Sequence, residues 1–145
     1  MNLTKTLAVA TLSLTLTVPV LAFADIVSFS TDLNASSEVP PTDSSATGHF
    51  AAAFDTSTHQ LHYDAAYADL TGAATMAHIH GPASVGKNAP VVIPVPKDKL
   101  ASPIEDTVTL TNEQAKQLMA GNYYFNVHTA KNPGGEIRGQ IVQVK

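Results

Sequence analysis

Two histidines, His78 and His80, stand on either side of one isoleucine in the segment "TMAHIHGPAS". In a β-strand, alternate side chains share a face and lie about 6.6 Å apart along the chain. Two imidazoles at this spacing form a workable pair of ligands for one transition-metal ion. The apolar residues Ala77 and Ile79 would then face the core. The alternative is that the histidines hydrogen-bond loop backbone and serve only the fold.

A third histidine, His128, occupies a similar position in "NYYFNVHTA". Tyr124 and Asn126 share its face in a strand, while the opposite face is aromatic and aliphatic and is predicted to be core. If this strand neighbours the first one, three imidazoles converge. We therefore predict a metal site formed by His78, His80 and His128, with copper as the first choice of ion and zinc as the second.

The other three histidines are weaker candidates for a fourth ligand. His49 follows a glycine at a strand start, and His59 lies in a predicted turn. His62 is opposite in parity to its apolar neighbours and is predicted to be a solvated strand residue.

Arg138 is the single arginine of the chain and follows the turn "NPGG". Glu136 and Arg138 share one strand face. A planar guanidinium with several donors either binds an anion near the metal or holds a carboxylate, such as Glu38 or Glu136, and so pins a loop. The sequence favours the second role.

The sequence lacks the motifs of several other common active sites. The sequence has no "GxSxG" pattern, no glycine-rich phosphate loop followed by lysine, and no obvious pair of catalytic acids. No residue is predicted to be catalytic, and the sequence favours binding over enzymatic activity without deciding between them.

The elements that must position these residues are mostly strands. Alternating runs separated by turn residues predict an all-β fold, a Greek-key β-sandwich or barrel of about seven or eight strands. One short helix is predicted after Thr111, which forms a capping box with Gln114, and Gly121 is expected just beyond its end.

Residues 1–24 are predicted to be a secretory signal peptide, with Lys5, an apolar run and small residues before Asp25. A membrane anchor is the alternative, but Pro19 and the threonines make the run a poor spanning helix. The mature chain, residues 25–145, is then one domain in the periplasm or outside the cell, with no membrane segment of its own.

Composition limits the classes of partner that the protein is expected to bind. Without Lys5, seven basic residues stand against twelve acidic ones, a formal charge of −5. This balance argues against a nucleic-acid partner, which requires a basic face. The chain has no cysteine and therefore neither a disulfide nor a thiolate metal ligand. The expected partners are a metal ion and an unidentified protein.

Four segments carry a resemblance to a known family: "SSEVPPTDSSATGHF", "AHIHGPAS", "LMAGNYYFNVHT" and "NPGGEIRGQI". Together and in this order they resemble the CHRD domain, which was first named from chordin and is common in exported bacterial proteins. The resemblance implies a compact β-sandwich but no single activity. Because chordin binds growth factors, the resemblance also permits a non-enzymatic interaction module with structural histidines.

A weaker similarity is to copper–zinc superoxide dismutase, another β-sandwich with a His-x-His strand. The matching positions are His78, His80, His128 and Arg138. The chain departs from that family because it lacks the disulfide, and its loop after His80 is too short for the zinc site. The similarity therefore implies at most a single-metal site, with a copper-only dismutase-like enzyme as a third alternative.

Overall fold

The structure is a computed structural model that describes residues 25–145. The predicted signal peptide, residues 1–24, lies outside the described residues. None of the helices in the described part of the chain is long and apolar enough to cross a membrane.

The described chain forms strands with one short α-helix, α1 (Asn112–Met119), which confirms the predicted all-β class. Short 3₁₀ helices lie at Ala35–Ser37 and Lys97–Lys99. Nine strands are present in the described residues, rather than seven or eight, because the last predicted strand is divided at Ile141. The strands are β1 (Ile26–Asn34), β2 (Thr47–Asp55), β3 (Gln60–Ala68), β4 (Ala74–His80), β5 (Val91–Pro94), β6 (Ile104–Thr109), β7 (Tyr124–Thr129), β8 (Ile137–Gln140) and β9 (Val142–Gln143).

The strands form one antiparallel sheet in the order β5-β4-β7-β8-β1-β2-β3-β6, with β9 also pairing with β1. The sheet curls so that distant strands face each other across the core. Phe50 of β2 and Phe125 of β7 show this, because their ring centroids are 5.1 Å apart although their strands are not neighbours. The result is a half-barrel around one hydrophobic core.

Strand alternation builds that core. On β2 and β3 the buried residues recur at every second position, as in Phe50, Phe54, Leu61 and Tyr63. Their neighbours in sequence face outward and are at least partly exposed, as expected for an antiparallel sheet with one solvated face. Strand β7 differs, because all six of its residues are buried.

The predicted helix start is confirmed. The Thr111 hydroxyl accepts from the Gln114 backbone N–H at 3.2 Å, and the Gln114 side chain accepts from the Thr111 N–H at 2.8 Å. Gly121 follows the last helical turn with φ +71°, a conformation that glycine adopts at low cost. Leu118 is fully buried and fastens the helix to the core.

Three neighbouring strands position the candidate site. In the sheet register, His78 of β4 lies opposite Asn126 of β7, which lies opposite Arg138 of β8. The segment of residues 81–90, here called the covering loop, connects β4 to β5. It is fastened by the Ala83 N–H to the Asn122 carbonyl at 2.9 Å and by the Gln140 amide to the Ala83 carbonyl at 2.9 Å.

Candidate metal centre

Three imidazoles meet on the polar face of β4 and β7. Each of His78, His80 and His128 offers one ring nitrogen, and these nitrogens all lie within 4.8 Å of one another. Nδ1 of His78 and Nε2 of His128 are 3.1 Å apart. Two nitrogens bound tetrahedrally to one ion at the usual metal–nitrogen distance would lie about 3.3 Å apart. The spacing of this pair is therefore close to that of a shared ion.

His80 has one ring nitrogen committed and one without a partner. Its Nδ1 lies 3.0 Å from the Ala89 carbonyl of the covering loop. A carbonyl only accepts, so Nδ1 carries the proton and the neutral ring presents a lone pair at Nε2. That Nε2 is buried and forms no hydrogen bond of acceptable geometry among the described residues, although the Asn126 side chain is close enough to influence the pKa of His80. A buried polar atom without a partner is costly, which makes this nitrogen a natural ligand.

His128 is oriented in the same manner. Its Nδ1 lies 2.9 Å from the Pro133 carbonyl and its Nε2 lies 2.9 Å from the Asn126 side-chain oxygen. Both oxygens only accept, and a neutral imidazole has a single N–H, so the two contacts compete for one proton. With that proton on Nδ1, the Nε2 lone pair faces His78 and is free to bind a metal ion. Metal-ligating histidines characteristically donate their second ring N–H to a carbonyl or carboxylate, which fixes the tautomer and the ring direction. Both His80 and His128 have this arrangement.

The protein environment keeps the three rings neutral. Burial lowers the pKa of His78 to about 4, and the neighbouring His128 and His80 lower it further. Burial also lowers the pKa of His80 and of His128, against the opposing effect of their carbonyl partners. Neutral imidazoles are the form that binds metal, so no proton has to leave at neutral pH.

A stack of three flat groups supports His80. Its ring lies parallel to that of Tyr124, with centroids 4.8 Å apart and 3° between the planes. The guanidinium carbon of Arg138 lies 3.3 Å from the centroid of the same tyrosine ring. A cation over an aromatic face is attracted by the ring quadrupole. Tyr124 therefore contacts both the guanidinium of Arg138 and the ring of His80.

Arg138 also holds the covering loop. Its guanidinium donates to the Lys87 carbonyl at 2.5 Å and to the Asn88 side-chain oxygen at 2.9 Å, and the residue is only 2% exposed. Neither Glu38 nor Glu136 forms an ion pair with it within residues 25–145. The loop is thus held through a carbonyl and an amide, and not through the carboxylate that the sequence suggested.

Glu136 belongs to a separate polar network. Its carboxylate accepts from the Ser44 hydroxyl at 2.6 Å, from the Thr71 backbone and hydroxyl at 2.8 and 2.7 Å, and from the Thr129 hydroxyl at 2.5 Å. Burial would raise the pKa of Glu136, but these hydrogen bonds outweigh it and hold the pKa at about 2. Glu136 therefore ties the loop before β2, the loop before β4 and the end of β7 together.

The sequence indicates Glu38 only as a possible partner of Arg138, yet its side chain meets Asn126, which neighbours the cluster. Its carboxylate accepts from the Asn126 amide at 3.3 Å, and burial raises the pKa of Glu38. Gly135 passes so close that a Cβ there would collide with this carboxylate. The shared parity of Asn126 and His128 was visible in the sequence, but no sequence signal brings Glu38 to them.

The remaining histidines lie apart from the cluster. His49 faces Asp32 at 2.9 Å and His62 faces the Thr107 hydroxyl at 2.9 Å, both on the exposed surface. His59 adopts φ 59° in the turn between β2 and β3.

The family model described as CHRD domain matches residues 29–141, which is most of the chain. The protein belongs to the CHRD domain family, as its sequence segments suggested. No match was found among curated proteins or among solved structures.

Proposed function

We propose that this CHRD domain is an exported protein that binds one transition-metal ion, copper in preference to zinc. The ligands are Nδ1 of His78, Nε2 of His80 and Nε2 of His128. The observation that carries the proposal is the convergence of one ring nitrogen from each of the three histidines within 4.8 Å, beside the buried Nε2 of His80, which forms no hydrogen bond in the described chain. A metal ion supplies the partner that this atom lacks.

The chemistry of the donors supports copper first. Imidazole nitrogen suits both copper and zinc, and a given nitrogen site binds divalent copper more tightly than divalent zinc. The role is binding, storage or delivery of the metal in the periplasm or outside the cell. The export part of this proposal rests on the signal-peptide pattern of residues 1–24.

The second candidate is an interaction module whose histidines are structural. The hydrogen bonds of the cluster favour this second candidate, since His80 and His128 each lie against a loop carbonyl and His78 contacts His128. Dismutase-like activity has no comparable support, because the guanidinium of Arg138 is buried and committed to the covering loop.

Thermal melts of the metal-free mature protein, with and without copper or zinc, separate the two candidates. Binding to the folded state alone stabilises it by about 2.7 kcal/mol when free metal reaches a hundred times its dissociation constant. We expect a clear rise in melting temperature for the wild type and for the control His62→Ala, whose ring lies outside the cluster. We expect most of that rise to be lost in His80→Ala.

A second variant protects the test against misfolding. His78→Ala removes a ligand whose side chain makes no hydrogen bond to a loop among the residues described, so its metal-free melt should stay near that of the wild type. Metal content after dialysis should be close to one ion per chain in the wild type and much lower in His78→Ala. A wild-type melt that neither metal moves would overturn the metal proposal and leave the interaction module.

A further inference from the structure

We infer that Met76 supplies a fourth, thioether ligand and adapts the site to monovalent copper; this inference rests on the proposed metal site. Met76 precedes His78 by two residues on β4, so its side chain lies on the same face of the sheet. In the register of β4 and β7 it lies directly opposite His128. Met76 is therefore adjacent to two of the three proposed ligands.

The reach of the side chain is sufficient. Side chains directly opposite each other in an antiparallel pair have Cβ atoms about 4.5–5.5 Å apart. Methionine is unbranched, and its rotatable bonds let the sulfur adapt to an irregular site. Met76 is 39% exposed, whereas its neighbour Ala77 is fully buried. The thioether is thus not committed to the hydrophobic core.

The cluster is most open on the side where Met76 stands. His80 and His128 are buried, at 8% and 5% exposure, while His78 is only partly buried. The covering loop lies against His80, and the turn before β8 lies against His128. An ion held by the three nitrogens would have its open side near His78 and Met76.

The charge balance favours an ion of low charge. The three donors are neutral imidazoles, and no carboxylate belongs to the cluster of described residues. Arg138 adds a positive charge behind Tyr124, beside His80. The acid at the back of the site, Glu38, is buried and hydrogen-bonded to Asn126, and burial raises its pKa.

Taking an ion out of water is costly, and the cost rises steeply with its charge. A monovalent ion therefore fits this environment better than a divalent one. Soft thioether ligands select monovalent copper, and imidazole accepts it as well. The combination of three imidazoles, one methionine and no carboxylate is thus suited to Cu(I), and the thioether adds little for zinc.

Competition titrations with a chromophoric Cu(I) chelator, under anaerobic reducing conditions, test the role of Met76. Zinc titrations run in parallel on the same proteins. Met76→Leu keeps the size and apolar character of the side chain but removes the sulfur. We expect Met76→Leu to weaken Cu(I) binding at least about tenfold and to leave zinc binding nearly unchanged. Met119→Leu is the matched control, an exposed methionine on α1, and should change neither affinity.

X-ray absorption of the Cu(I)-loaded protein gives a direct readout. Copper–sulfur scattering should be present in the wild type and in Met119→Leu, and absent in Met76→Leu. Equal Cu(I) affinity in Met76→Leu and wild type, or a wild-type spectrum with nitrogen scattering alone, would overturn this inference while the histidine site stands. A wild type that binds neither Cu(I) nor zinc would overturn the metal proposal together with it.

Discussion

The outer face of the sheet carries histidines in two regions, an uncovered region on β2 and β3 and a covered region on β4 and β7. The two regions differ in burial and in the contacts of their histidines. On the outer face of β2 and β3, His49 and His62 are exposed, and each meets one polar side chain, Asp32 or Thr107. On the polar face of β4 and β7, the histidines His78, His80 and His128 contact one another and are largely enclosed.

The difference in burial comes from what covers each region. The covering loop lies over β4, β7 and β8, where Arg138 holds it through the Lys87 carbonyl. Strand β7 is consequently buried on both sides, whereas β2 and β3 keep one solvated side. Burial makes every polar atom require a partner, so a covered polar face retains only groups that pair or bind something. A histidine at an outward strand position therefore has a different meaning in each region.

The largest expected effect on stability comes from removing the contacts that hold the covering loop over the covered region. Arg138→Ala removes the donors to the Lys87 carbonyl and to Asn88, and it removes the cation from the Tyr124 ring. Hydrogen bonds to charged groups contribute about 1.5–3 kcal/mol each, and a buried cation–π contact adds to this. We expect the free energy of unfolding to fall by about 3 kcal/mol, as measured by urea denaturation.

Lys99→Ala is the control for that measurement. Lys99 pairs with Asp106 at 2.5 Å, but its side chain is 43% exposed, and such surface pairs contribute about 1 kcal/mol or less. If Arg138→Ala cost no more than Lys99→Ala, Arg138 would not be what holds the covering loop.

A smaller effect concerns protons at the covered histidines. The pKa of His78 is lowered by burial to about 4, below its ordinary value of 6.5. Above pH 6.5 the ring is neutral in the folded and unfolded chain, so its contribution is fully present there. As the pH falls from 6.5 towards 4, the unfolded chain takes up the proton first, and stability is lost over that window. Because His78 is partly exposed, solvent screening limits this loss to roughly 1–2 kcal/mol.

Urea denaturation of the metal-free protein at pH 7 and pH 4.5 measures this loss. His78→Ala should lose less stability between the two pH values than the wild type does. His62→Ala, in which an exposed histidine that faces the Thr107 hydroxyl is removed, is the control for the loss of a histidine outside the cluster. Parallel behaviour of all three proteins would show that His78 is not shielded from protons.

Much of this contrast could be predicted from alternation along single strands. The aromatic and aliphatic residues Phe125 and Val127 identify the core side of β7, and the parity of His78, His80 and His128 gives their common face. The capping box at Thr111 is likewise local, since both partners lie within one helical turn. Local patterns predict which way a side chain points.

What covers a polar face is a long-range property, and the sequence did not predict it. The bonds from Arg138 to Lys87 and from Asn126 to Glu38 join residues 51 and 88 positions apart. Their geometry depends on how loops fold over the sheet, for which strand periodicity carries no signal. The carboxylate partner that the sequence suggested for Arg138 was wrong for this reason. Every residue has a backbone carbonyl, so residue type alone does not reveal that the Lys87 carbonyl is the acceptor.

The smallest expected effect lies in the uncovered region, at His49. Its Nδ1 lies 2.9 Å from Asp32, but the two side chains are 54% and 86% exposed. Water can replace each partner, and an exposed pair contributes about 0–1 kcal/mol. We expect His49→Ala to change the free energy of unfolding by less than about 0.5 kcal/mol, because no buried atom is left without a partner. It should also leave metal binding unchanged, as measured by the copper and zinc titrations. A loss of more than about 1.5 kcal/mol would mean that this region is enclosed in solution, and the contrast between the two regions would then fail.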